Sequence, residues 1–287
     1  MLIFTPKHHQ YPHQLNRLHS PPKQLYINST SWESITAMPL LAVVGTRRPS
    51  PYAANVCAQF VRELAGKGVC IVSGLALGID SIAHKAALEA GGTTIAVLPS
   101  GLATIYPASH RQLAEQIVTN GGALISEYSP NVTTSYKGNF IERNRIIAGL
   151  STAVFIPEAA AKSGSLHTAQ FAIDSGIDVC VLPGHVTNPL TEGCHRLIQS
   201  GAALITCSDD ISNILGIASN PHASSYTANP ANQQEATLLT LIANGTHDGD
   251  ELFAQSELAI TDFNQTITML EISGKIKPGS ANTWYLI

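Results

Sequence analysis

Seven short apolar runs punctuate the chain at Leu40–Val44, Val69–Val72, Thr94–Leu98, Ala123–Ser126, Ala153–Ile156, Asp178–Leu182 and Ala203–Thr206. Stretches of helical period lie between most of them, including Ala53–Leu64, Ile79–Glu89, Arg111–Thr119 and Ser165–Asp174. A run of apolar residues without alternation is the mark of a strand buried on both faces, and helices in between provide the cover. The pattern therefore predicts an open, doubly wound α/β sheet that is mostly parallel. Glycines at Gly66, Gly68, Gly91, Gly92, Gly121, Gly122 and Gly176 mark the predicted helix ends.

The two ends of the chain read differently. Residues 1–39 contain several prolines and histidines with short apolar pieces, and they predict an irregular lead-in with one short strand near Leu25–Ile27. The sheet region, 40–215, closes on a helix that begins at Ser208-Asp-Asp-Ile. Residues 216–234 are rich in Ser, Asn, Pro and Ala without periodicity, which is the composition of a linker. Residues 235–287 predict helices over Glu235–Ala243, Glu251–Gln255 and Thr261–Ser273, then a hairpin closing at Thr283–Ile287. Three helices and a hairpin are the outline of a small winged-helix-like domain.

Composition narrows the class. Hydrophobic residues are 44% of the 287 and charged residues only 13%, enough for a large core and few enough that each basic cluster stands out. Net charge is −4, distributed unevenly: residues 235–287 hold two lysines against seven acids. A nucleic-acid site must therefore be a local cluster outside the tail. No apolar run approaches the roughly 18 residues of a membrane span, and the first residues lack a signal-peptide pattern, so no membrane association is expected. Five cysteines without a Cys-x-x-Cys pair suit reduced thiols and a cytoplasmic location.

In an open parallel sheet, ligands bind beyond the carboxyl ends of the strands, so the turns there are the informative ones. Val43-Val-Gly-Thr-Arg-Arg-Pro49 runs from strand to glycine turn to helix, with Arg47 and Arg48 as phosphate donors beside a helix N-terminus. A capped turn with solvated arginines is the plainer alternative. Ser73-Gly-Leu-Ala-Leu-Gly-Ile-Asp80 repeats the strand, turn and helix without the lysine of a Walker A loop. Asp80 and His84, four apart, read as a local pair on one helix.

Ser135-Tyr-Lys-Gly-Asn-Phe-Ile-Glu-Arg-Asn-Arg145 interleaves Lys137, Arg143 and Arg145 with Tyr136 and Phe140. Cations that follow a backbone and rings that stack on bases suit single-stranded nucleic acid. Lys162-Ser-Gly-Ser165 adds small hydroxyls and glycine at a helix start, an anion nest that capping alone would also use. Together the four turns predict an elongated phosphate-binding groove. The histidines His8, His9, His13 and His19 have no partners at metal spacing, and Cys194-His195 are sequence neighbours with the wrong geometry for a nucleophile and base. No paired-carboxylate or serine-nucleophile signature is visible, so nothing calls for catalysis.

At these motifs the chain resembles the bacterial DNA-processing protein A family (DprA, also called Smf). The resemblance rests on Pro21-Pro-Lys-Gln-Leu-Tyr26, Val44-Gly-Thr-Arg47, Val72 to Asp80, Gly138 to Gly149, Lys162 to Leu166 and Leu182-Pro-Gly184. It implies an extended Rossmann-like domain that binds single-stranded DNA, forms a homodimer and helps load the recombinase RecA onto incoming DNA during natural transformation. It implies neither cofactor nor metal nor catalysis. The DNA-binding residues expected are Arg47, Arg48, Ser73, Gly74, Lys137, Gly138, Asn139, Phe140, Arg143, Asn144, Lys162, Ser163, Gly164 and Ser165. Leu77, where many members carry Arg, and His167, where an apolar residue is common, depart from the pattern. The alternative is an enzyme resembling the nucleotide phosphoribohydrolases of the same Rossmann-like group, but their Pro-Gly-Gly-x-Gly-Thr-x-x-Glu segment is missing from Pro157 to Ser165.

Overall fold

A computed structural model describes residues 1–133, 136, 138–217, 230, 232–244, 246–278 and 282–286. Residues up to Ala218 form one compact unit and those from Ser219 a second. The first unit is built on strands β1 (Leu2–Phe4), β2 (Leu25–Asn28), β3 (Leu40–Val43), β4 (Cys70–Ser73), β5 (Thr94–Val97), β6 (Ala123–Ser126), β7 (Ala153–Ile156), β8 (Asp178–Val181) and β9 (Ala203–Leu204). They make one sheet in the order β1-β2-β6-β5-β4-β3-β7-β8-β9. From β6 to β9 every pairing is parallel. Every residue of β3 to β7 is buried, which is why these runs carry no polar alternation.

The helices are α1 (Trp32–Thr36), α2 (Pro51–Gly66), α3 (Ile79–Glu89), α4 (Arg111–Thr119), α5 (Gly138–Leu150), α6 (Ser165–Asp174), α7 (Glu192–Gln199) and α8 (Ser208–Ile214). One core layer packs α2, α3 and α8 on one sheet face, through Phe60, Leu64, Ala83 and Ile211. Another joins α5 and α6 to the N-terminal segment through Ile146, Leu150 and Ala169. The chain winds outward from β3 to β6, then returns to place β7, β8 and β9 on the other side of β3. The order therefore reverses between β3 and β7, where a crevice at the carboxyl edge is expected. This is an extended, Rossmann-like α/β sheet.

Residues 1–39 contain the strand expected near Leu25–Ile27, which is β2, and a further strand, β1, that their composition does not suggest. β1 and β2 add two antiparallel strands to the sheet, with Ile27 opposite Ile125 of β6. The segment also covers α5: Arg17 donates to the carbonyl of Gly149 at 3.2 Å, and a Cβ on Gly149 would lie 2.7 Å from Leu18. Tyr11 donates its hydroxyl to Pro22 O at 2.9 Å. β2 and Arg17 find their partners about a hundred or more residues away, in β6 and at the end of α5, and that docking leaves no local signal.

The second unit contains α9 (Gln233–Ala243), α10 (Gly249–Ser256), α11 (Ile260–Ile272) and the antiparallel strands β10 (Ile276–Pro278) and β11 (Trp284–Leu286). Leu238, Leu252, Phe263, Leu270 and Ile276 fill its own small core. Lys275 reaches the nearly buried Glu235 at 2.6 Å, tying the turn after α11 to the start of α9. Most of the linker expected over 216–234 lies outside the described residues.

Candidate nucleic-acid interface

Three loops meet at the carboxyl edge, after β3, β4 and β7. The Thr46 amide donates to Glu158 O at 2.9 Å, and the Ile79 amide donates to Thr46 O at 3.2 Å. Gly78 has φ +77°, and a Cβ there would stand 2.4 Å from Thr46 O, so only glycine permits this approach. The buried Glu158 carboxylate accepts from the Ser50 amide at 2.8 Å and the Ser50 hydroxyl at 2.7 Å. Ser50 Oγ in turn accepts from Ala53 N, capping α2. Ser50 and the Glu158 carboxylate therefore already occupy part of the α2 N-terminus, which was expected to receive phosphate.

Several expected contacts prove to be internal. Arg143 is buried and donates to the carbonyls of Gly74, at 2.6 Å, and Val97, bridging the ends of β4 and β5. Burial lowers its guanidinium to about 10, with Asp80 opposing that shift and Arg47 adding to it, so it remains cationic at neutral pH. Ser73 is fully buried and donates its hydroxyl to Val43 O at 2.6 Å. Gly74 gives its amide to Asp80 at 3.1 Å, and its missing side chain makes room for Arg143, whose Nη1 would be 2.4 Å from a Cβ. Arg143, Ser73 and Gly74, expected to contact DNA, thus have their hydrogen-bonding groups engaged inside the protein, beneath the surface of the turn. Their spacing in sequence is the same for either role, and only burial separates the two. Arg145 is likewise buried, paired with Glu127 and Glu142.

Asp80 and His84 are not partners in a local pair. Asp80 accepts from the amides of Gly74 and Ala76. His84 Nδ1 lies 2.7 Å from Thr94 Oγ1, whose own proton goes to Ile71 O. Nδ1 must therefore carry the hydrogen, which leaves the buried Nε2 as a bare acceptor without a partner. Burial, with His110 and Arg143 nearby, pushes this imidazole down to about 3. Between that value and about 6.5 the unfolded chain binds the extra proton, so acidification through this window destabilises the fold, by at most about 1.4 kcal/mol per pH unit. Burial raises the Asp80 carboxyl, a contribution of opposite sign. His84→Leu is expected to flatten the acid limb of stability against pH, measured by urea unfolding between pH 7 and pH 4; an unchanged limb would refute it.

What remains at the surface is a compact cation–aromatic group. Arg47 and Arg48 are exposed directly after β3. The Arg47 guanidinium lies 5.8 Å from the ring centroid of Phe140, in cation–π range. Tyr106 meets the same ring edge-on at 5.4 Å and is 47% exposed. Phe140 is half-buried in the first turn of α5, beside Gly138 and Asn139; Asn139 donates to Pro99 O at 3.4 Å. Asn144 donates to Gly164 O at 3.3 Å, linking α5 to the loop after β7. There Lys162 is exposed, while the Ser163 and Ser165 hydroxyls bond each other at 2.8 Å. Lys137 lies outside the described residues. Tyr106 was not among the residues expected at this surface: it stands in Ile105-Tyr-Pro107, more than thirty residues from Phe140 in sequence. Leu77 and His167 are both exposed.

Among the described residues, no group of three or more His, Cys, Asp or Glu side chains is placed to hold a metal ion. Cys57, Cys70, Cys180 and Cys194 are buried thiols whose ionisation burial suppresses, Cys180 to about 12 and Cys194 to about 11. No described helix is long and apolar enough to cross a membrane.

Fold and edge together define a Rossmann-like protein with a basic, aromatic surface at the strand ends. Residues 2–216 match the model of the DNA recombination-mediator protein A family, and the chain belongs to that family. It is 50% identical over 172 residues to the Protein Smf of Escherichia coli, an overlap covering 60% of this chain and 46% of that protein's length. The crystal structure of DNA processing protein A from Streptococcus pneumoniae superposes with a TM-score of 0.68 at 37% identity, covering 74% of this chain and 73% of that one. DNA processing protein A from Helicobacter pylori, described for its single-stranded DNA binding mode, gives 0.66 at 34% identity, covering 75% and 96%.

Proposed function

We propose that this protein binds single-stranded DNA along the carboxyl edge of its sheet and acts as a recombination mediator. The observation that carries the reading is the exposed cluster of Arg47, Phe140 and Tyr106, with Arg48 and Lys162 at either side of the β3–β7 crevice. Cations hold the backbone, while rings stack on bases that a duplex keeps hidden. The single-stranded DNA binding described for the Helicobacter relative supports it. Arg48, Lys137, Asn139, Asn144 and Lys162 to Ser165 would line the same path. Nothing in this arrangement requires a catalytic group, a cofactor or a metal. Delivery of RecA onto incoming DNA in the cytoplasm during transformation, and a homodimer joined near β8, β9 and the Asp209–Leu215 helix, belong to the same proposal through family membership.

Gel shifts with oligothymidine and a duplex of equal length test it, with preference for the single strand expected and equal affinity overturning it. Three to four surface cations predict that log affinity falls against log salt with a slope of about −2 to −3.

The second unit, which we read as a winged helix, is a poor holder of DNA. Its α11 carries no Lys or Arg, and residues 235–287 are strongly acidic. A chain ending at Gly216 is therefore expected to keep single-stranded DNA binding within about twofold, since phosphate contacts dominate such affinity. A tenfold loss in the same gel shift would assign DNA contacts to this unit.

A further inference from the structure

A concavity of about 670 Å³ lies between the start of α2 and the loop after β8. It is on the same carboxyl edge but across the crevice from Phe140. Pro51, Tyr52, Pro183 and Val186 provide apolar walls, with His185 and Asn188 at the polar positions. No carboxylate lines it, and Arg47 and Arg48 precede it by only a few residues. Tyr52 is 51% exposed although aromatic, and its hydroxyl reaches Pro183 O only at 3.4 Å.

The walls are held in place. Ser50, one residue before the α2 helix, is fixed by Glu158 and itself caps the helix, so the first turn bearing Tyr52 is anchored. Opposite, buried Thr191 donates to His185 O and Asn188 O at 2.9 Å, and His195 Nε2 lies 2.9 Å from Gly184 O. Gly184 is required here, because a Cβ would sit 2.3 Å from Thr191 Cγ2. A loop pinned from within nevertheless presents Val186 at 85% exposure. An anchored, uncharged, ring-bearing hollow next to exposed arginines matches a splayed nucleobase, whose phosphate the arginines would hold.

We propose that this hollow is a second base-binding subsite, with Tyr52 as its stacking platform, for the same single strand that engages Phe140. This rests on the proposed DNA-binding function and extends it past the crevice. Tyr52 opens α2 directly after β3, two strand spacings or about 10 Å from β5, whose following loop carries Tyr106, so a strand that engages both rings must span more than one nucleotide.

The test compares the full chain with Tyr52→Ala, Tyr52→Trp and Phe140→Ala by fluorescence anisotropy, using labelled oligothymidine about six and about twenty nucleotides long. Tyr52→Ala is expected to weaken the long oligonucleotide roughly five- to a hundredfold, the range for one lost stack, and the short one by less than half as many decades. Tyr52→Trp should restore the long-oligonucleotide affinity, which a partner-protein surface or a mere folding defect would not produce. Long-oligonucleotide binding by Tyr52→Ala equal to that of the unaltered protein, while Phe140→Ala is impaired, overturns this subsite alone. No binding by the unaltered protein overturns the DNA-binding reading itself.

Discussion

Arg143→Ala is expected to lower the stability of the 1–218 unit by about 3–5 kcal/mol, because it removes a buried cation around which the turn after β4 is assembled. Two carbonyls, Gly74 O and Val97 O, lose their donor, and the buried Asp80 loses the charge that favours its ionised form. The guanidinium lies against Gly74, in space that any side chain at position 74 would occupy, so its removal leaves a void there. At roughly 2–4 °C per kcal/mol for a unit of this size, the melting temperature should fall by about 6–20 °C in a circular-dichroism melt. Arg143→Lys should recover part of the loss, since it restores charge but not the planar donor fork. A normal melting temperature with weakened DNA binding would instead return Arg143 to the groove.

The surface cluster should behave in the opposite way. Arg47→Ala and Phe140→Ala are each expected to cost about 1–3 kcal/mol in single-stranded DNA affinity, roughly five- to 150-fold. Arg47→Ala should leave the melting temperature nearly unchanged, because the side chain is exposed. Arg47 lies over the Phe140 ring, so the double variant should lose less than the two single losses combined, by about 0.5 kcal/mol or more. Strict additivity would show that the two residues hold DNA independently.

The contrast between Arg143 and Arg47 shows where reading a sequence stops. Both are arginines within a few residues of a glycine, one after β3 and one in α5, and both sit near the same aromatic, Phe140. Arg143 occupies α5, whose outward and inward positions carry similar polarity, so no apolar stripe reveals which side is buried. Asp80 and His84 are a comparable case: four residues apart on one helix, they bond to different elements, the β4 turn and β5. Tyr106 joins the cluster only because the loop after β5 passes the first turn of α5.

The order and kind of the main elements are local properties. Strands buried on both faces must be apolar throughout, and helices between them must show one apolar side, so the parallel sheet from β3 to β9 and the cation-bearing strand ends were legible residue by residue. The acidity of the last 53 residues was equally plain. Tertiary structure alone decided which polar groups face water. It turned Ser73, Gly74 and Arg143 into a buried brace, set Glu158 on the helix end that phosphate was expected to use, and drew residues 1–39 into the sheet. Each of those outcomes depends on partners distant in sequence, and the cost of burying an unpaired polar group makes the choice of partner a property of the whole fold.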